Sequence, residues 1–254
     1  IRDSRYIVNA AIRRDGSSRF GRQNRYGNFP SLAVAWNVSN EPFFENVPYL
    51  SHLKIRASWG RLGNQEIGLY PFSSLVNTGD RVYTFGGVPV TGANIVETGN
   101  ENIKWETTTQ EDVGIEFSLW KDRISFMADY FQKTTSDVLV RVPVPQAGGS
   151  AFPPYINAGM VENKGWDFAL VFRNAYKDLQ YSLSANISTA QNEVLSLVGG
   201  EQILGGFGLS DGPITRTEVG YPIGSFYIYQ ADGLFQNQAE IDAHAFQNVD
   251  TRPG

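Results

Sequence analysis

Apolar side chains alternate with polar or small ones over most of this chain, and this two-residue period constrains the fold more than any other feature. Successive side chains of a β-strand point to opposite faces, so each alternating run predicts a strand with one apolar face. Clear runs cover residues 6–12, 32–38, 53–59, 113–119, 124–130, 166–172 and 181–187. A weaker run lies at 223–229, and helical patterns are limited to 238–246 and a turn at 41–44. The sequence therefore predicts an all-β, antiparallel fold of about eight strands.

The connections between these runs are of unequal length. Residues 120–123 and 174–178 are tight turns, and residues 39–51 form a moderate connection. The long connections are residues 15–28, 63–105, 133–162 and 192–220. Compact soluble domains rarely carry several loops of this length, and here all of them lie at one end of the hairpins. Outer-membrane barrels have this asymmetry, with short periplasmic turns and long extracellular loops.

Aromatic residues on the apolar side of the runs indicate a membrane setting. They are Tyr6, Trp36 and Tyr181 at the short-turn end, and Trp59, Tyr130 and Trp166 at the long-loop end. Rings at both interfaces form the aromatic girdles of membrane barrels. The opposite side of the runs suits a wet lumen or a surface packed against a plug, since it carries Lys54, Arg56, Asp112, Glu116, Asp129, Asp167 and Arg173.

A soluble antiparallel β-sandwich that binds carbohydrate is the alternative, because its strands show the same alternation. An apolar share of 41% excludes a disordered chain, and the absence of Cys excludes disulfides and thiolate metal sites. No apolar run approaches the ~18 residues of a membrane-spanning helix. Loop asymmetry and the two sets of aromatic residues favour the membrane barrel.

Several segments resemble the SusC/RagA-type TonB-dependent outer-membrane transporters. Residues 5–36, RYIVNAAIRRDGSSRFGRQNRYGNFPSLAVAW, are similar to that family's barrel signature. The resemblance continues in order through LKIRASWGRLGN, NIKWETTTQ, VGIEF, RISFMADYFQKTTSDV, NAGMVENKG and VGYPIGSFYIYQADGLF. It therefore covers nearly the whole chain.

The resemblance implies a plugged transmembrane β-barrel of about 22 strands in the bacterial outer membrane. Residues 1–254 would form part of that single barrel domain, from its C-terminal half. The plug domain, the TonB box and the C-terminal strands would lie outside this chain. The start at Ile1 without Met fits an internal piece of a longer polypeptide.

The resemblance also implies partners and a function. The family imports oligomeric nutrients, mainly glycans and sometimes oligopeptides. A SusD-like lipoprotein acts as the lid of the barrel, and TonB supplies force through the plug. Outer-membrane lipid and lipopolysaccharide would surround the barrel.

Aromatic residues in the long loops are the candidate substrate contacts, because aromatic faces stack on sugar rings and on peptide side chains. They are Tyr70, Tyr83, Phe85, Trp105, Phe152 and Tyr155. Packing within the loops and docking of the lid are the alternative roles.

Five arginines cluster around the first long loop with a single acid, Asp15. They are Arg13, Arg14, Arg19, Arg22 and Arg25. The Asp15-Gly16 pair is ordinary turn chemistry, which favours a structural loop over a nucleic-acid site. We expect the arginines to pair with carboxylates of neighbouring strands or with lipopolysaccharide phosphates.

No residue pattern predicts catalysis, a metal site or a cofactor. Asp112 and Glu116 lie about 13 Å apart along a strand, which exceeds the separation of a glycosidase pair. His52 and His244 lie far apart in the sequence and have no ligand motif around them. The sequence therefore predicts a binding and transport protein, not an enzyme.

Overall fold

The computed structural model describes residues 5–44, 47–78, 82–141, 154–200, 203–205, 213–230 and 233–245. In chain order its strands are β1 (Tyr6–Gly16), β2 (Tyr26–Asn37), β3 (Leu50–Asn64), β4 (Leu75–Asn77), β5 (Val82–Phe85), β6 (Val88–Thr91), β7 (Asn94–Glu97), β8 (Glu106–Leu119), β9 (Ile124–Ser136), β10 (Leu139–Arg141), β11 (Tyr155–Asn157), β12 (Gly159–Tyr176), β13 (Leu179–Leu197), β14 (Ile203–Gly205), β15 (Thr215–Thr217) and β16 (Ser225–Phe226). Short 3-10 turns cover Val38–Asn40, Pro42–Phe44 and Val198–Gly200, and the helix α1 covers Gln238–Ala243. Within these residues, no helix has the length and apolar character needed to span a bilayer.

Seven long strands form one antiparallel sheet in the order β1-β2-β3-β8-β9-β12-β13. They coincide with the seven clear alternating runs, so the predicted antiparallel all-β class is confirmed. Each long strand pairs with the next long strand along the chain. The tight turns after β8 and β12 lie at one end of this sheet, and the long connections lie at the other, as predicted.

The strands extend further into the long connections than the alternation indicated. β1 continues to Gly16, β2 already begins at Tyr26, and β13 reaches Leu197. The connection after β3 contains two nested hairpins, β4–β7 and β5–β6, and the connection after β9 contains the hairpin β10–β11. Alternation fades in these extensions because the strands have left the apolar layer and burial depends on local contacts: Phe29 on β2 and Val194 on β13 are buried there.

The weak eighth run does not continue the large sheet among the described residues. Only Ser225–Phe226 of this run is extended, and it pairs with β15 in a separate three-stranded sheet. The predicted helix is shorter than expected and ends at Ala243, while Phe246 lies outside the described residues. Its N-cap is Asn237, whose side chain accepts a hydrogen bond from the Glu240 amide at 3.0 Å.

The apolar band runs diagonally across the sheet. On each strand, one residue is the first polar side chain beyond the apolar positions at the long-loop end. These residues, which we call the outer boundary row, are Arg14, Asn28, Arg61, Glu111, Gln132, Lys164 and Thr189. When the register is followed from strand to strand, Thr189 on β13 is level with Val8 on β1. The boundary residue of β1, Arg14, lies six residues beyond Val8, so the row shifts by six residues across the sheet. At the short-turn end, Tyr6 is likewise in register with Ile187, six residues after Tyr181.

Between β1 and β13, both limits of the apolar band therefore shift by six residues along the strands. The height of the band is thus constant across the sheet. Six residues correspond to about 20 Å of strand, and six strand spacings correspond to about 29 Å across the sheet. The strands are thus inclined by roughly 35° to the normal of the apolar band. Strands of outer-membrane barrels are inclined by about 35–45° to the membrane normal.

A compact core joins the connections at the long-loop end. Phe20 and Ile103 are completely buried, and Phe29, Ile67 and Trp105 complete the cluster. The Trp105 ring packs against Phe20 and Phe29 at centroid distances of 5.1 and 5.4 Å. The β1–β2 and β3–β8 connections therefore bury their apolar side chains against each other.

Polar side chains of the first loop reinforce this core. The Arg19 guanidinium donates to the carbonyls of Gln65 and Ile67 at 3.1 and 2.9 Å. The Asn24 amide donates at 3.1 Å to the carbonyls of Asn102 and Ile103. Together, these contacts make the two connections one packed unit, which we call the loop core.

Ile103→Ala should loosen the loop core while leaving the sheet intact. Truncating a fully buried Ile costs about 2–5 kcal/mol, because a cavity remains. We expect faster proteolytic cleavage within residues 64–105 of the folded protein. Phe43→Ala is the control, because Phe43 is exposed and its truncation should leave cleavage unchanged. Equal cleavage rates for the Ile103 variant and wild type would contradict the importance of this core.

Candidate functional site

The apolar face of the large sheet is exposed. Val8 and Ile12 on β1 are 65% and 77% exposed, and Ile187 on β13 is 62% exposed. The indole rings of Trp59 and Trp166 on the same face are also accessible. In a β-sandwich these side chains would be buried between two sheets. The soluble-sandwich alternative is therefore wrong for this chain.

All six predicted interface aromatics lie on this apolar face. Tyr6 and Trp36 are register partners at the short-turn end, with ring centroids 6.5 Å apart. Tyr130 and Trp166 are register partners at the long-loop end, with centroids 5.1 Å apart. The other two are Trp59 on β3 and Tyr181 on β13. Their contact with the membrane interfaces stays a prediction.

Glu41, which the sequence analysis did not single out, fixes the Tyr6–Trp36 pair. It lies in the short connection between β2 and β3, and its side chain is largely buried. Its carboxylate accepts hydrogen bonds from the Tyr6 hydroxyl at 2.7 Å and from the Trp36 indole at 3.1 Å. These bonds, and then the charge of Arg5 3.6 Å away, lower the pKa of the Glu41 carboxyl. The only feature of the sequence that could have indicated this role is the position of Glu41, five residues after Trp36, a predicted interface aromatic.

A charge network spans three strands on the opposite, polar face. The Arg56 guanidinium on β3 binds both carboxylate oxygens of Asp129 on β9, at 3.1 and 2.6 Å. It also donates to Glu116 on β8 at 2.6 Å, and Lys54 lies 3.7 Å from the same carboxylate. Such a two-point contact fixes the guanidinium plane as well as its position.

Gly114 makes this network possible. It is the register partner of both Arg56 and Asp129, so it lies between them on the middle strand. A Cβ atom at Gly114 would come within 1.9 Å of the Asp129 carboxylate and 2.9 Å of Arg56 Nε. The absence of a side chain therefore lets Arg56 reach across a whole strand.

A recess of about 640 Å³ opens beside the network, with Asp112, Asp129 and Asp167 in its lining. The Asp112 carboxylate accepts hydrogen bonds from the Ser58 hydroxyl and the Gln110 amide, each at 3.0 Å. Asp167 is the register partner of Asp129. Arg56 is already bound to Asp129 and Glu116, so the recess combines the acceptors of Asp112 and Asp167 with the donors of side chains such as Lys133 and Asn186.

Three of the predicted substrate-contact residues are exposed at the long-loop end. Tyr70, Tyr83 and Phe85 are 53%, 53% and 70% exposed. Tyr83 and Phe85 share one face of the β5–β6 hairpin. The Tyr83 ring lies against Gly92, where a Cβ atom would be only 2.1 Å from the ring. Only an edge of this ring is therefore against the backbone, and substrate contact by these residues stays a prediction.

The other predicted contact residues lie elsewhere. Trp105 is buried in the loop core, and its indole donates to the Arg25 carbonyl at 3.4 Å, so its ring has no free face for a solute. Its role is packing. Tyr155 packs partly against the same core, with the Arg141 guanidinium 4.3 Å from its ring centre. Phe152 lies outside the described residues.

The arginine cluster separates into different environments. Arg13 forms an ion pair with Asp15 at 2.7 Å, and Arg19 binds loop carbonyls as described above. Arg14 lies over the ring of Tyr26, 4.9 Å from its centre. Arg22 and Arg25 are exposed. Among the described residues, the predicted pairing with carboxylates holds within this cluster only for Arg13.

An antiparallel sheet with an exposed, inclined apolar band on one face and charges on the other is a segment of a transmembrane β-barrel. Residues 1–244 match the family described as TonB dependent receptor-like, beta-barrel. The chain therefore belongs to this family, whose members are outer-membrane proteins, and the predicted outer-membrane location is confirmed.

Named relatives agree with this assignment. The TonB-dependent receptor SusC of Bacteroides thetaiotaomicron is 36% identical over 238 residues, which are 89% of this chain and 24% of SusC. A TonB-dependent receptor of Formosa agariphila is 36% identical over 235 residues, covering 92% of this chain and 21% of the relative.

A solved structure entitled "Structure of the RagAB peptide transporter" superimposes with a TM-score of 0.80 at 31% identity. The match covers 92% of this chain and 25% of that one. The chain thus spans about a quarter of the length of these relatives. The resemblance to SusC/RagA-type transporters found in the sequence is confirmed.

Gly114→Ala should disrupt the charge network. We expect a loss of about 1–3 kcal/mol in the free energy of unfolding, because the methyl group forces Asp129 and Arg56 apart. Gly60→Ala on the same face is the matched control, because its nearest neighbour, Ser31 Cβ, is 3.3 Å from the added carbon. Guanidinium unfolding of the detergent-purified protein measures both. Equal losses would contradict the special role of Gly114.

Glu41 should contribute a pH dependence to stability. A carboxyl whose pKa is lower in the folded than in the unfolded protein stabilises the fold at pH values above its unfolded pKa, which is near 4.5. This contribution disappears as the pH falls through the folded pKa. The thermal midpoint of wild type should therefore fall more steeply below pH 4.5 than that of Glu41→Gln. Glu66→Gln, in an exposed loop, should behave like wild type. If the thermal midpoints of wild type and Glu41→Gln changed with pH in the same way, this linkage would be refuted.

Proposed function

We propose that this chain is part of an active importer of oligomeric nutrients, either oligosaccharides or oligopeptides. Import would be energised by TonB, with a SusD-like lipoprotein as the lid over the barrel. The observation that carries the proposal is the two-sided sheet: its apolar band faces lipid at the inclination of a barrel, and its charged face lines the interior. Similarity to the TonB-dependent receptor SusC supports energising by TonB, and similarity to the RagAB peptide transporter supports an oligomeric solute of the peptide type.

The polar face supports passage of a solute without trapping it. Arg56 is saturated by Asp129 and Glu116, so it does not bind an anionic group of the solute strongly. Asp112 and Asp167 offer acceptors to hydroxyl or amide donors. Translocation requires contacts that are favourable enough for entry and weak enough for release. The chemistry of the proposed function is binding and gated movement, with no covalent step.

The loop end supports capture of the solute beneath the lid. The loop core joins two of the connections, and Tyr83 and Phe85 are exposed on the β5–β6 hairpin within one of them. Exposed aromatic rings suit stacking on a sugar ring or on a peptide side chain. We assign the first contact with solute to these rings, together with Tyr70.

Uptake measurements test the proposal. Cells lacking the gene should lose uptake of fluorescently labelled oligomers of one class, oligosaccharides or oligopeptides. A protonophore should stop the same uptake in wild-type cells, because TonB uses the proton gradient of the inner membrane. Undiminished uptake of every oligomer in the deletion strain would overturn the assignment.

Substitutions in the hairpin test the contact residues in the same assay. Tyr83→Ala and Phe85→Ala should each lower uptake at low solute concentration by about two- to tenfold, through lost stacking. Phe43→Ala, an exposed ring at the opposite end of the sheet, should have no effect. Normal uptake in both hairpin variants would assign solute contact to other residues.

A further inference from the structure

Two arginines mark the upper limit of the apolar band on the first three strands. Arg14 on β1 and Arg61 on β3 both belong to the outer boundary row, and both are exposed. The apolar face directly below them carries Ile12, Leu32 and Trp59. Their height on the barrel wall is therefore the level at which acyl chains end and lipid headgroups begin.

Neither guanidinium has an acidic partner in the part of the chain that the structure describes. Among the described residues, no carboxylate lies within ion-pair distance of Arg14 or Arg61. The nearest acid of the boundary row, Glu111, is a diagonal neighbour of Arg61, which corresponds to about 7–8 Å. The boundary row differs towards the other edge of the sheet, where Lys164 on β12 forms an ion pair with Glu162 at 2.6 Å.

Arg14 is nevertheless held in place. Its guanidinium carbon lies 4.9 Å from the centre of the Tyr26 ring. That ring lies across Gly16, where an added Cβ would come within 2.8 Å of it, so glycine makes room for the ring. Tyr26 thus acts as a platform that keeps a positive charge at the headgroup level through a cation–π contact.

Strand geometry brings the two charges within reach of one ligand. Arg14 and Arg61 are separated by two strand spacings across the sheet and by two residues along the strand direction. Their backbones are therefore roughly 12 Å apart. Both side chains are long enough to approach one shared group, and Arg is well suited to bidentate contact with phosphate. We infer that Arg14, Arg61 and Tyr26 form a binding site for the phosphorylated headgroup of an outer-leaflet lipid, whose acyl chains lie along Ile12, Leu32 and Trp59.

Native mass spectrometry of the delipidated protein in detergent tests this site. Purified lipopolysaccharide should bind wild type, and enzymatically dephosphorylated lipopolysaccharide should bind more weakly. Arg14→Gln and Arg61→Gln should each weaken binding of the phosphorylated form about tenfold, the loss expected for a charge-assisted hydrogen bond. Arg22→Gln, which removes the same charge from an exposed loop, should bind like wild type.

Variants of Tyr26 separate positioning from simple charge. Tyr26→Phe keeps the ring and should retain binding, whereas Tyr26→Leu should weaken it several-fold. Heat-modifiable migration on a gel verifies that every variant is folded. Binding that survives the double arginine substitution, or that is equal for both forms of the lipid, would overturn the inference. Displacement of the lipid by millimolar inorganic phosphate would also overturn it, because the site would then recognise free phosphate.

Discussion

The hydrogen-bonded register of the seven-stranded sheet is the constraint on which the rest of the structure depends. Hydrocarbon offers no partner for a backbone amide or carbonyl, so each strand must satisfy its neighbours completely. A shift of one residue between two strands would also move every apolar side chain to the polar face. The pairing from β1 to β13, whose register shifts only near strand ends at Leu50/His52 and Met160/Val161, therefore fixes the two faces. The six-residue shift of the apolar band along the strands fixes their inclination.

The two faces of the sheet solve different physical problems. The apolar face ends at the short-turn end with rings such as Tyr6 and Trp36, which Glu41 holds in place. The interior face places charges in a wall with water on one side, and it stabilises them by mutual contact across three strands. That contact depends on Gly114, whose missing side chain lets the Arg56 guanidinium span the middle strand. Small residues in this wall thus organise charge as well as making space.

The long-loop end shows how similar aromatic residues take different roles. Trp105 and Phe20 are enclosed and hold two connections together, whereas Tyr83 and Phe85 stand on a hairpin with exposed faces. Composition cannot separate these roles, because each ring lies in a loop rich in small and polar residues. The two roles differ because some connections pack against each other in the folded protein and enclose their rings, whereas the β5–β6 hairpin leaves its rings exposed. The same argument applies to the arginines: Arg13, Arg14 and Arg19 are close in sequence but end on an ion pair, a tyrosine ring and loop carbonyls.

The sequence alone determined the strands, their alternation, the unequal ends of the hairpins and the family, because side-chain periodicity and turn composition are local properties that the chain carries in order. It did not locate the extensions of β1, β2 and β13, since alternation disappears where a strand leaves the apolar layer and burial depends on contacts with the loops, as it does for Phe29. Nor did it assign Glu41, Gly114 or the packing role of Trp105. Those assignments depend on contacts between residues far apart in the chain, and only the tertiary structure decides which of them meet.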